Sequence, residues 1–331
     1  MAEKSLVGMS KHHQKSILKN KTFGHIVAIL FFLLVGYGFF NAASNMNYIW
    51  KWTSVPKYFL YEKVEIKDAP FDGVVLLGEK ELVLEGNSGE IYKIELSNKV
   101  KPKVEDGEAV FEFDQLASSS SLAAGPLLEG LSVTLKISIF AAVIALFIGT
   151  IIAFMRMSSY QFLNDIGTVY VTVIRGTPLL VQIFIFYFII ATIFELDRFL
   201  AGAMSLGIFF GGYIAEVLRG AIQSIDKGQY EAAKSLGMNY PHTMMFIIMP
   251  QALKRALPTL VGEMIALVKD SSLVSVISIT DLTKVGREIV ANTFSPFETW
   301  LIIAGMYFII TAILSYVGHR VELKMKKQGG M

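Results

Sequence analysis

Seven polar side chains stand in stretches that are otherwise nearly all apolar, and they are the residues best placed to do chemistry: Arg175, Thr177, Gln182, Glu216, Glu263, Lys269 and Asp270. A charge inside a bilayer is costly, so it faces either a partner or a watery route, and each of these marks a candidate path for a polar solute. Glu216 and Arg219 lie three residues apart on one helix and can simply pair. Structural pairing at helix interfaces accounts for the other charges too. Covalent catalysis finds no support in the chain, since no nucleophile–base arrangement is visible at motif spacing. His12, His13, His25, His242 and His319 make no His-x3-His or His-Glu-x2-His pattern, and cysteine is absent, so no metal site is expected. Residues 73–80 (GVVLLGEK) imitate a phosphate loop but lack its Gly-Lys-Ser/Thr ending, and read as strand and turn.

The elements that hold these charges are separated by one polar island, residues 226–250. Asp226 with Gln229 three residues on suits a capping box. Tyr230 to Leu236 then holds good helix formers. Gly237 is placed to end that helix in a left-handed cap, and Pro241 to open a second one, where its missing N–H is not needed. Pro250 is expected to disrupt the second helix as the chain returns to an apolar segment. The product is a short helix–Gly–helix elbow, a shape suited to docking.

Glu231-Ala232-Ala233, Gly237, Ile247, Met249 and Pro250 carry the spacing of a known motif. The stretch resembles the EAA loop of bacterial ABC-importer permeases, whose pattern is Glu-Ala-Ala, three residues, Gly, nine residues, Ile, one residue, Leu and Pro. Met249 in place of Leu is the single departure, a mild swap. Four further strings are similar to the polar amino-acid branch of these permeases: 131–138 (LSVTLKIS), 174–182 (IRGTPLLVQ), 212–226 (GYIAEVLRGAIQSID) and 267–275 (LVKDSSLVS). Gly262 stands where that branch usually has Asn. The likeness runs from about residue 127 to 323 and leaves the first 126 residues unexplained.

Composition agrees with a membrane protein. The 331 residues are 53% hydrophobic with a net charge of +2, and the mean hydropathy is +0.52. That balance exceeds what a soluble domain can cover, and gives no reason to expect nucleic acid. Residues 1–23 form a basic tail with Lys4, Lys11, Lys15, Lys19 and Lys21. The apolar run that follows lacks a clean cleavage site, so residues 24–43 are expected to be a retained first span. Residues 44–126 are charged. Strands are expected at Val74–Leu77, Glu81–Leu84, Glu90–Leu96 and Ala109–Phe113, with a hairpin turn at Asn87-Ser88-Gly89. Ser118–Ser121 and the Ala-Ala-Gly-Pro after it read as a flexible linker. Further spans are expected at Leu131–Met155, Gly167–Phe194 (broken near Gly176 and Pro178), Leu200–Ile222, Leu257–Ile279 and Phe297–Val317. Gly207 and Gly211 make a small-xxx-small pair for close helix approach. Arg320, Lys324, Lys326 and Lys327 end the chain.

The expected architecture is an all-α polytopic membrane protein: a five-helix permease core (127–323) plus one extra N-terminal helix, a small β-rich extracytoplasmic insert, and a short tail at 324–331. Basic residues put both termini and the island in the cytoplasm, where the resemblance also places its loop. The resemblance implies a transport subunit of the bacterial inner membrane that is not itself an enzyme. ATPase subunits would receive Glu231, Ala232, Ala233, Gly237, Ile247 and Pro250. An external binding protein would deliver an amino acid, and a second permease chain, identical or related, would share the path. This chain would bind no cofactor, with ATP and magnesium held by the ATPase. A transporter or channel working without an ATPase is the rival reading; it would need an ion-coupling site within an internal repeat, and no convincing repeat is found between the halves.

Overall fold

The computed structural model describes residues 21–46 and 48–328, and the chain divides into two compact units, Met1–Lys51 and Trp52–Met331. Lys4, Lys11, Lys15 and Lys19 of the basic tail lie outside the described residues, as do the side chains of Lys21, Lys326 and Lys327. In the first unit, helix α1 (Lys21–Asn45) is 25 residues long and apolar around its whole circumference. At 1.5 Å per residue it measures ~37 Å, enough to cross a bilayer.

The second unit opens with a short helix, α2 (Pro56–Phe59), and seven strands: β1 (Leu60–Asp68), β2 (Gly73–Leu77), β3 (Glu81–Gly86), β4 (Ile91–Glu95), β5 (Val100–Pro102), β6 (Ala109–Val110) and β7 (Gln115–Ala124). They build two sheets, in the orders β4-β3-β2-β6 and β1-β7-β5. Alternate residues of β2 and β3 turn inward, so that Val75, Leu82 and Leu84 join Ile94, Val110, Leu116 and Ala117 in a small core. Gly89 makes the β3–β4 turn at φ +86°, where an L side chain would be strained.

Three strands, β1, β5 and β7, have no counterpart in the sequence reading, and the strand expected at Ala109–Phe113 is only the two residues of β6. Ser118–Ser121, read above as linker, lies inside β7 and pairs antiparallel with β1 along its length. Ladder hydrogen bonds need no apolar side chain, so a serine run can be a strand when a neighbour supplies the partner groups. β1 itself had no signal, because all nine of its residues are exposed and no apolar stripe marks it.

The sheets are fastened to the helices at a neck. The Gly125 N–H donates to the Phe59 carbonyl at 2.6 Å, and a Cβ on Gly125 would sit 2.4 Å from the Tyr58 carbonyl oxygen. Tyr58 and Phe59 pack on a buried cluster of Leu127, Leu282, Val285 and Ile289. That burial gives a small module the support it lacks alone.

The helical part comprises α3 (Pro126–Arg156), α4 (Gln161–Gly176), α5 (Leu179–Ile185), α6 (Arg198–Gln223), α7 (Lys227–Ser235), α8 (Tyr240–Thr243), α9 (Met249–Asp270), α10 (Leu282–Thr293) and α11 (Pro296–Gln328). Among the described residues α1, α3, α6 and α11 are long and apolar enough to cross a membrane, and α4 with the helix after it makes a fifth if that bent pair is one span. The break expected near Gly176 and Pro178 is a bend of 110°. α5 continues as a π-helical turn over Phe186–Ala191.

The segment Leu257–Ile279 is not one helix. α9 starts earlier, carries Lys254, Arg255, Glu263, Lys269 and Asp270, and gives way to a 3-10 stretch at Ser271–Ile277. Ser278 then turns left-handed at φ 64° and α10 follows, a helix with no counterpart in the sequence reading.

α3 and α6 form the central pair. A Cβ on Gly207 would lie 2.5 Å from Ile144 Cγ2, and one on Gly149 would lie 2.6 Å from Ile214 Cγ2. Glycine on both helices lets the backbones close to a distance no larger residue permits.

Candidate functional site

The polar island folds into two short helices joined at a fixed angle. The Asp226 side chain caps α7 by accepting from the Gly228 N–H at 2.6 Å. Gln229 does not complete a capping box; its side-chain oxygen accepts from Gln251 Nε2 at 3.2 Å and so ties α7 to α9. The C-terminus of α7 closes as a Schellman turn. Met238 N–H reaches the Ala233 carbonyl at 3.1 Å and Gly237 N–H the Lys234 carbonyl at 3.0 Å, with Gly237 at φ +77°. Asn239 caps α8 through the His242 N–H at 3.0 Å, and Pro241 occupies its first turn. Pro250 does not end that helix. A π-turn at Met244–Ile248 widens the spiral just ahead of it, with the Met249 N–H bonded to the Met244 carbonyl, and the helical path runs on into α9.

The motif residues divide by direction. Glu231, Ala232 and Gly237 are exposed, whereas Ala233 is 3% exposed and Ile247 packs against the main core. Ala233 is therefore used within this chain and is unavailable for close approach by another. Leu236 and Tyr240 were not singled out by sequence, yet they are 82% and 60% exposed on the same elbow. A large apolar residue projecting beside the Gly in a polar loop is the signal that would have found them. Arg255 braces the knob from behind: it donates to the Ser224 carbonyl and, at 3.1 Å, to Ser224 Oγ at the end of α6.

The intramembrane polar residues fall into three groups. Glu216 accepts from Arg219 and also from Arg156 at the end of α3. Arg219 passes on to Gln223 Oε1 at 2.6 Å, and Asn164 Nδ2 holds the Arg156 carbonyl at 2.6 Å. The carboxylate of Glu216 is thus enclosed by two guanidiniums, one more than its own helix supplies.

Thr177 and Gln182 build the bend. Gln182 Nε2 donates to the Ile174 carbonyl and to Thr177 Oγ1, each at 2.7 Å, satisfying groups that the break between α4 and α5 leaves open. Arg175, Glu263 and Asp270 make the third group. The Arg175 guanidinium lies 5.2 Å from the centre of the Tyr213 ring, and Glu263 is within electrostatic reach of Arg175 and Asp270. Lys269 is exposed next to Asp270. Arg175 of α4 thus lies over an aromatic face of α6, with Glu263 of α9 in electrostatic reach.

Solved structures share the fold of the helical part. The chain matches a crystal structure of an amino acid ABC transporter with histidines at a TM-score of 0.56 and 40% identity, covering 60% of this chain and 94% of that one. An inward-facing MetNI methionine ABC transporter matches at a TM-score of 0.52 and 17% identity over 60% of this chain and 96% of the other, a likeness of fold alone. A bent-helix core presenting a braced elbow, with this likeness, defines a type I ABC permease.

The sequence model of the binding-protein-dependent transport system inner membrane components matches residues 145–327, more than half of the chain, and the protein belongs to that family. It is the permease subunit of an ABC importer. The glutamine transport system permease protein GlnP of Escherichia coli (strain K12) is 40% identical over 203 residues, which is 60% of this chain and 93% of the relative. The arginine transport system permease protein ArtQ of Bacillus subtilis (strain 168) is 38% identical over 203 residues, 60% of this chain and 92% of the relative.

Proposed function

We propose that this chain forms the membrane path of an amino-acid importer and is driven by a separate ATPase that grips the elbow. The observation that carries the coupling half is the construction of the knob. Glu231, Ala232, Leu236 and Tyr240 face outward on a unit pinned by the Gly237 turn, the Gln229–Gln251 bond and the Arg255 brace. A pinned unit transmits a push as a body, where a floppy loop would absorb it. Ala233 and Ile247 set its seat on the core, while Pro250 stays exposed where the helical path enters α9.

ATP and magnesium stay on the ATPase, whose closure draws two elbows together and rocks two permease chains between outward and inward access. The amino-acid half is supported by the names of the relatives. It is also chemically apt, because Arg175 and the Glu263–Asp270 pair offer both signs to a zwitterion. In this reading Glu216 and Lys269 border the route, while Thr177 and Gln182 shape it. With α9 and its 3-10 extension taken as a sixth crossing beside α1, α3, the bent α4–α5 pair, α6 and α11, the termini and elbow fall in the cytoplasm of a bacterium. The strand module then faces the external binding protein's side of the inner membrane.

Reconstitution with the ATPase and binding protein tests the pathway. Glu263→Gln is expected to lower uptake several-fold with complex assembly unchanged. Normal uptake by that variant would remove Glu263 from the route.

A further inference from the structure

β1 is the outer strand of its sheet: β7 lies on one side, and no described strand lies on the other. Nine residues of edge leave a row of backbone donors and acceptors open to another strand. The order of side chains along that edge, LYEKVEIKD, is arranged about its central residue, Val64. We infer that β1 pairs antiparallel with β1 of a second copy of this chain, Val64 opposite Val64.

In that register all nine residues are matched. Lys63 of each copy faces Glu65 of the other, Tyr61 faces Lys67, Glu62 faces Ile66 and Leu60 faces Asp68. Opposite charges directly across an antiparallel pair are stabilising, and like charges are not. Sliding by two residues in one direction sets Lys63 against Lys63. Sliding by two in the other sets Lys63 against Lys67 and Glu65 against Glu65. A slide of one residue turns one copy over, so the two copies would no longer be related by a two-fold axis. The register with the greatest overlap is therefore also the one with complementary charge. Within a single chain Lys63 Nζ and Glu65 Oε1 are already 2.6 Å apart, so the pair of copies closes a ring of four alternating charges. On the other face Val64 and Ile66, both exposed in the single chain, gain cover beside the seam.

The inference rests on the reading that two permease chains build one path, and it makes the second chain a copy of the first. The chain contains no cysteine, so Val64→Cys introduces a single thiol. Facing Cβ atoms in such a pair lie about 4.5–5.5 Å apart, within reach of a disulfide after small adjustment. In membranes holding the assembled transporter, mild oxidation should give a covalent permease dimer at Val64→Cys, several-fold more than at Glu62→Cys, whose copies do not face each other. Lys63→Glu should lower the Val64→Cys yield, and adding Glu65→Lys should restore it. A Val64→Cys protein that stays monomeric, or that cross-links no better than Glu62→Cys, overturns the pairing, as does failure of the charge swap to rescue. Two differently tagged copies are purified in parallel. If they travel together while Val64→Cys stays uncross-linked, the edge pairing falls and the two-copy path stands. If they do not travel together, the second chain is not a copy and the inference falls on that ground instead.

Discussion

Gly237 shows how much can rest on one backbone angle. Nothing lies within 4 Å of a Cβ built there, so space is not its constraint. The constraint is φ +77°, which a β-branched residue adopts only under strain. Gly237→Val is expected to leave the protein in the membrane and to uncouple ATP hydrolysis from uptake, read as ATPase activity without substrate accumulation. Unchanged uptake by a well-expressed variant would sink the coupling role. Glu216 makes the complementary case. Replacing it by Gln removes the charge between Arg156 and Arg219 and leaves two guanidiniums side by side. With the three groups still 17% to 28% exposed, the loss should be about 1–3 kcal/mol rather than the larger cost of a fully buried pair. It should appear as a lower melting temperature of the detergent-solubilised protein. The elbow was legible because turns and caps depend on local residue types, and Asp226, Gly237 and Pro241 occupy the positions those types demand. Arg156 was not, since a partner 60 residues away leaves no local trace.

At the level of elements, local pattern and tertiary need part company. The apolar runs announced α1, α3, α6 and α11, and Gly176 with Pro178 announced the break before α5. α9 was blurred by its own charges, and the 3-10 stretch after it ends at Ser278, whose left-handed turn no composition rule foretells. β1 and β7 were invisible for the reason that makes them a ribbon: each supplies the other's backbone partners and neither buries a continuous apolar face. Two element-scale experiments follow. Gly207→Val drives a side chain into Ile144 at the α3–α6 contact and should cost about 1–3 kcal/mol by overpacking, seen as lower thermal stability or poor expression. Gly305→Val, on a helix where a Cβ would meet nothing within 4 Å, is its control and should be near neutral. Gln182→Ala should loosen the α4–α5 bend by freeing the Ile174 carbonyl. It is expected to raise proteolytic or hydrogen-exchange lability around residues 174–182 before it alters the rest of the chain.

On the scale of the whole molecule, the second unit joins two bodies of different character, a charged strand module and an apolar helical core, through contacts at Tyr58, Phe59, Gly125 and Leu127. The module leaves the core at Phe59 and returns at Gly125, two residues whose backbones share a hydrogen bond of 2.6 Å. Excising residues 60–124 and closing the gap with a short Gly-Ser bridge should therefore spare the fold of α3 to α11, with ATPase subunits still recovered on purification. Loss of that recovery would mean that the module is needed to build the core. Because departure and return lie side by side, the whole charged region behaves as a cassette clipped into a single junction. The same junction offers a place to graft a fluorescent or affinity domain on one face of the transporter without rerouting a helix.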